Sequence, residues 1–129
     1  ITNKEIIYAP VSYIKSLAKS YEFKLVIAIG NNTTRKKLVS EIEIPLKQYA
    51  TLIHPTAIIS SSVNLGKGTV VMPNVVINAN TVIGNHVIIN SSSVIEHDNS
   101  INDFAHIGPP IWRKCAPVCF TAAMPPRFS

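Results

Sequence analysis

Charge is nearly missing from the middle of this 129-residue sequence: the forty-one residues from Ile53 to Ser93 hold one Lys, no Arg and no acid. Long apolar runs are missing as well. The longest in the first fifty residues, "LVIAI" (Leu25–Ile29), is far too short to cross a bilayer, which argues against a membrane protein. Aromatic residues make up only 7% of the chain and are not interleaved with Lys or Arg, so the net charge of +5, gathered around "TTRKK" (Thr33–Lys37), does not indicate nucleic-acid binding. Two cysteines, Cys115 and Cys119, with no histidine nearby, fall short of the four ligands of a structural zinc site and read as reduced thiols. No basic leader or long apolar core opens "ITNKEIIYAP", and a cytoplasmic location is the expectation. The 47% hydrophobic content is enough for a globular fold without disulfides.

What is present is a repeat of six. From Ile53 every sixth residue is a branched aliphatic: Ile53, Ile59, Leu65, Val71, Ile77, Ile83, Ile89, Ile95, Ile101 and Ile107. Four positions after each stands a small or β-branched residue, occasionally Asn, so two residues per hexad point inward. Neither the 3.6-residue period of a helix nor the unbroken alternation of hairpins accommodates this spacing, whereas short strands joined at corners do. Three sides close a coil of eighteen residues, which stacks Ile53, Val71, Ile89 and Ile107 in one ladder and Ile59, Ile77 and Ile95 in another. Gly66, Gly84, Asn64, Asn78, Asn80 and Asn90 fall at corners, where tolerance of left-handed backbone is useful.

The hexads resemble the left-handed parallel β-helix of the hexapeptide-repeat acyltransferases. "VIAIGNN" with "RKK", "LIHPTAIIS", "VVINANTVIG" and "SSSVIEHDNSINDFAHIGP" narrow the resemblance to the sugar O- and N-acetyltransferases, typified by the sialic-acid O-acetyltransferase and UDP-amino-sugar N-acetyltransferase group. It spans roughly residues 4–109. The fold so implied is mainly β, with a partial α/β, Rossmann-like substrate-binding domain at 1–50, the β-helix at 51–109 and an irregular tail at 110–129. In the first part we read a helix near Pro10–Ser20, a buried strand Lys24–Ile29 and a helix from Thr33 to Ile42. Relatives begin with a further strand and continue with further hexads, so the resemblance implies truncation at both ends. Codons for Ile111–Ala116 such as ATT TGG CGG AAA TGT GCG give Phe-Gly-Gly-Asn-Val one base later, and a frameshifted tail is the corresponding expectation.

Glu96, Asp98 and Asp103 bring acid back beside His97 and His106. Acetyl transfer needs a base near neutral pH, and imidazole suits it; His97 is the candidate, with an adjacent carboxylate to hold its tautomer. The resemblance gives that part to Asp98. Because neighbours on a strand face opposite ways, the pair must sit at a corner or Glu96 must substitute. It also makes His106 a contact of acetyl-CoA, able to donate to the thioester carbonyl, and places Gly30 and Asn32 beside the sugar nucleotide at a strand's carboxyl end. His54 and His86 read as ordinary surface or corner residues, and "TTRKK" as a solvated helix face.

The function expected is transfer of acetyl from acetyl-CoA to an amino or hydroxyl group of a sugar nucleotide or sialic-acid-like sugar, without a metal, in a homotrimer with sites between subunits. Two alternatives stand beside it. A relic or passive scaffold follows if the missing coils are needed for the pantetheine channel. A zinc carbonic anhydrase of the same fold needs three convergent histidines, and the spacing of His86, His97 and His106 does not reproduce its motif.

Overall fold

A computed structural model describes residues 9–110 of the chain. Cys115, Cys119 and the expected frameshifted tail lie outside the described residues.

Ten strands of two residues each, β1 (Leu52–Ile53) through β10 (His106–Ile107), arrive at six-residue intervals and pair in parallel. They form three sheets, ordered β1-β4-β7-β10, β2-β5-β8 and β3-β6-β9, one for each side of the prism. Register follows the eighteen-residue ladders: Ile53 pairs with Val71, Val71 with Ile89, Ile59 with Ile77 and Ile77 with Ile95. Backbone bonds such as Ile58 N–H to the Val75 carbonyl (2.8 Å) and Val76 N–H to the Ser93 carbonyl (2.9 Å) tie each coil to the next.

The prism is filled by Val71, Val75, Ile77, Ile83, Val87, Ile89 and Ile95, all buried. Ile53, in the first coil, is 49% exposed because its rung has a neighbour on one side only. Thr69, Thr81 and Ser93 also point inward, and each buried hydroxyl donates to a corner carbonyl, those of Gly84, Glu96 and Gly108, at 2.8–3.0 Å. Buried polar atoms therefore fasten the corners.

The corners correct one expectation. Left-handed backbone recurs every sixth residue at Gly68, Asn74, Asn80, His86, Ser92, Asp98 and Phe104, so of the corner residues singled out above only Asn80 is left-handed. Gly66 and Gly84 serve another purpose. A Cβ on Gly66 would collide with the Gly84 carbonyl one coil along, and one on Gly84 with the Asp103 side chain. They permit close stacking.

Ahead of the prism, α1 covers Tyr13–Ser20 and α2 covers Asn32–Ile42. The first begins three residues later than expected because Val11 and Ser12 form a turn, with Tyr13 N–H on the Pro10 carbonyl at 2.9 Å. Asn31 caps the second by accepting from Thr34 N–H at 2.9 Å. The expected strand Lys24–Ile29 is not a strand: only Leu25 makes a bridge, to Tyr49. A ladder needs a neighbour along its length, and this segment meets one at a single point. Ile27 is nonetheless buried with Ile42 and Tyr49 in a second, smaller core. Among the described residues no helix is long and apolar enough to cross a membrane.

Candidate active site

His97 and Asp98 occupy the turn between β8 (Val94–Ile95) and β9 (Ser100–Ile101), so strand alternation does not separate them. The left-handed backbone of Asp98 (φ 57°) brings its Oδ2 to 2.7 Å from His97 Nδ1. A carboxylate only accepts, so Nδ1 carries a proton, and in the neutral ring Nε2 keeps its lone pair. Asn80, one coil back, donates to Asp98 Oδ1 at 3.2 Å. The His97 pKa is raised above its ordinary 6.5, first by this hydrogen bond and the Asp98 charge, then weakly by Glu96, while Asp98 is lowered by the same bond and by Asn80. Glu96 instead accepts from Asn78 Nδ2 at 3.1 Å. No substitution by Glu96 is needed. Both partners of the pair are exposed to solvent.

A second feature is an open cleft of ≈ 540 Å³ whose walls include Gly30, Asn32, Asn90 and His106. It unites three of the residues singled out from the sequence. His106, the first residue of β10, directs Nδ1 at the Gly30 carbonyl (3.2 Å), joining the prism to the loop before α2. Asn32 Oδ1 accepts from Arg35 Nη2 at 3.0 Å. His97 and Asp98 are not among the cleft's lining residues, being at a corner between the other two sheets.

Sequence reasoning missed Arg35, which is 1% exposed inside what read as a solvated helix face. Its Nε donates to the His86 carbonyl (2.9 Å), Nη1 to those of Ile29 and Gly30 (2.8 and 3.1 Å), and Nη2 to those of Phe104 and Ala105 (2.7 and 3.2 Å). A planar fork with five donors is the side chain able to do this. One signal was present: Arg35 precedes Leu38, Val39 and Ile42 at helical spacing and therefore shares their inner face.

His86 is the other correction. It does sit at a corner, but it is no surface residue: it is 2% exposed, stacked on Phe104 (centroids 5.1 Å apart, 11° between planes) and edge-on to Tyr49 (4.5 Å, 88°). Neither ring nitrogen has a hydrogen-bond partner among the described residues. Burial lowers its pKa below 6.5, opposed by the Asp103 charge and reinforced by Arg35. His54 does sit exposed at a corner, its Nδ1 2.9 Å from Thr56 Oγ1. Among the described residues no group of three or more His, Cys, Asp or Glu side chains converges as a metal site would require.

Stacked hexads with a His–Asp pair on one corner and an imidazole beside a cleft are similar to the hexapeptide-repeat class: residues 62–97 match the family model described as bacterial transferase hexapeptide (six repeats). The architecture is the left-handed β-helix expected from the hexads. More particularly, the chain is similar to sugar N-acetyltransferases. It is 47% identical to the UDP-N-acetylbacillosamine N-acetyltransferase of Bacillus subtilis (strain 168) over 47 residues, which are 36% of this chain and 22% of that one. Among solved structures it is similar to PerB from Caulobacter crescentus in complex with CoA and GDP-perosamine (36% identity, TM-score 0.67, 74% of this chain and 46% of that chain). It is also similar to the acetyltransferase domain of PglB from Neisseria gonorrhoeae FA1090 in complex with acetyl coenzyme A (30% identity, TM-score 0.70, 84% and 53%). The chain thus spans about half the length of these structures.

Proposed function

We propose that the protein transfers the acetyl group of acetyl-CoA to the amino group of a nucleotide-activated sugar. The observation that carries this is the His97–Asp98 pair, whose geometry leaves Nε2 free to take a proton. The amine nitrogen attacks the thioester carbonyl, the carbon–sulfur bond breaks, and the proton lost by the nitrogen passes to His97 Nε2 and from there to the departing thiolate. Asp98 holds the ring in its tautomer and stabilises the imidazolium that forms. His106 contacts the acetyl-CoA, while Gly30 and Asn32 line the sugar-nucleotide side of the cleft. The relatives that act on amino groups or hold GDP-perosamine support an amine acceptor over a hydroxyl or a sialic-acid-like sugar.

The reading includes a homotrimer acting in the cytoplasm. On one chain the His97 corner and the His106 cleft belong to different edges of the prism, and a neighbouring subunit is the means of bringing them together. An outward apolar column supports this. Ile58 (68% exposed), Val76 and Val94 (60%) lie one above another on the sheet leading to the His97 corner, a surface that association would cover.

The test is release of free CoA from acetyl-CoA with an amino-sugar nucleotide, native chain against His97→Ala. Loss of a general base is expected to lower kcat roughly 10²–10⁴-fold. Equal rates would overturn the assignment of the base, and no turnover by the native chain would favour the scaffold reading.

A further inference from the structure

The cleft carries a hydrogen-bond circuit whose polarity is set at both ends. The Ser91 N–H, which can only donate, points at Asn90 Oδ1 (2.8 Å). This orients the Asn90 amide so that Nδ2, another obligate donor, faces His106 Nε2 at 3.4 Å. On the other edge of the ring, Nδ1 faces the Gly30 carbonyl, an obligate acceptor, at 3.2 Å. Both contacts require the same neutral tautomer, with the proton on Nδ1 and the lone pair on Nε2. Behind them lies Arg35. Its Nη1 holds the Gly30 carbonyl at 3.1 Å and its Nη2 holds the carbonyl of Ala105, the residue before His106, at 3.2 Å.

We infer that Arg35 is a positioning residue for His106: by pinning the Gly30 and Ala105 carbonyls it fixes the ring so that Nε2 meets the cleft as an acceptor, matched to an amide N–H of the cosubstrate. The expected donation from His106 to a thioester carbonyl finds no free N–H in this tautomer, because the Nδ1–H is given to the Gly30 carbonyl. The Asn90 contact is long for a hydrogen bond, so a ligand N–H aimed at the same lone pair competes with it on favourable terms. The identity of that ligand rests on the acetyl-CoA reading above; the tautomer and its dependence on Arg35 do not.

Long-range proton–nitrogen NMR of the histidine-labelled chain, with His106 assigned through its loss in His106→Gln, reads the tautomer directly. The native chain without ligand is expected to show the Nδ1–H pattern. Arg35→Lys keeps the charge but loses the fork, and should give mixed tautomers and a KM for acetyl-CoA raised roughly three- to tenfold, the worth of one hydrogen bond, with kcat within about twofold. Asn90→Asp, nearly isosteric, sets a carboxylate oxygen against Nε2 and should draw the proton there, with a similar rise in KM. An Nε2–H signal in the native chain, or an Arg35→Lys protein unchanged in tautomer and KM, overturns the inference. Nδ1–H without acetyl-CoA binding or turnover would instead place the failure in the cosubstrate reading, leaving the role of Arg35 upheld by the spectra.

Discussion

Asp98 receives hydrogen bonds on both carboxylate oxygens, from His97 on its own corner at 2.7 Å and from Asn80 one coil back at 3.2 Å. The carboxylate that raises the basicity of His97 is thereby kept in place by the repeat itself. Since the base must be neutral to accept a proton, activity should fall as pH drops through a His97 pKa that lies above 6.5. In Asp98→Asn, which tolerates the same left-handed backbone, the raising bond and charge are gone, and the acid limb of the pH–rate profile should move to lower pH. A limb that stays put would show that Asp98 does not tune His97.

His86 predicts a pH effect on stability of opposite origin. Its folded-state pKa is depressed, chiefly by burial, so between that value and 6.5 the unfolded chain binds the proton more readily than the native one. Its contribution to stability is complete above about 6.5 and is lost as pH falls below it. Chemical denaturation from pH 7 to pH 5 should show this slope, and His86→Asn, a residue suited to φ > 0, should flatten it whatever its effect on absolute stability. An unaltered slope would assign the dependence to other groups.

Gly66→Ala should destabilise the prism by about 1–3 kcal/mol, as overpacking against a backbone carbonyl leaves little room to relax. Gly108→Ala is the control, since nothing lies within 4 Å of its added Cβ. Urea midpoints of the two variants should differ in that order. Equal midpoints would mean that the coils separate at little cost.

Ile58→Arg places a charge on the exposed apolar column without touching the core. Sedimentation of the native chain should give the mass of a trimer, and that of the variant a smaller species with unchanged circular dichroism. A trimer surviving the change would move the interface to another face.

The prism was legible because its periodicity is a property of the local sequence: a residue such as Ile77 faces inward for the same reason as Ile59 and Ile95, and all three align. For the His97–Asp98 pair the sequence left a corner or substitution by Glu96 open, and the left-handed turn at Asp98 decides for the corner. Arg35 and His86 were not legible in that way. Arg35 meets His86 and Phe104 from 51 and 69 positions away, and although Phe104 stacks on His86 at the ladder spacing of eighteen, Tyr49 and Arg35, which close over His86, come from outside the hexads, where no period encodes such meetings. Left-handed corners escaped too, because the hexad register decides which residue takes that backbone. Phe104 takes it at φ 62° despite its bulk, at a cost of roughly 1–2 kcal/mol that stacking on His86 helps offset.

Two-residue strands spaced by a fixed six leave no slack for changes in length. One inserted residue within the hexads would turn every later aliphatic towards solvent and rotate the His97 corner off its edge, unless the addition bulged out at a turn. Genetic drift in such a protein is therefore quantised: extensions and deletions survive in whole turns of eighteen, or as excursions looped clear of the column.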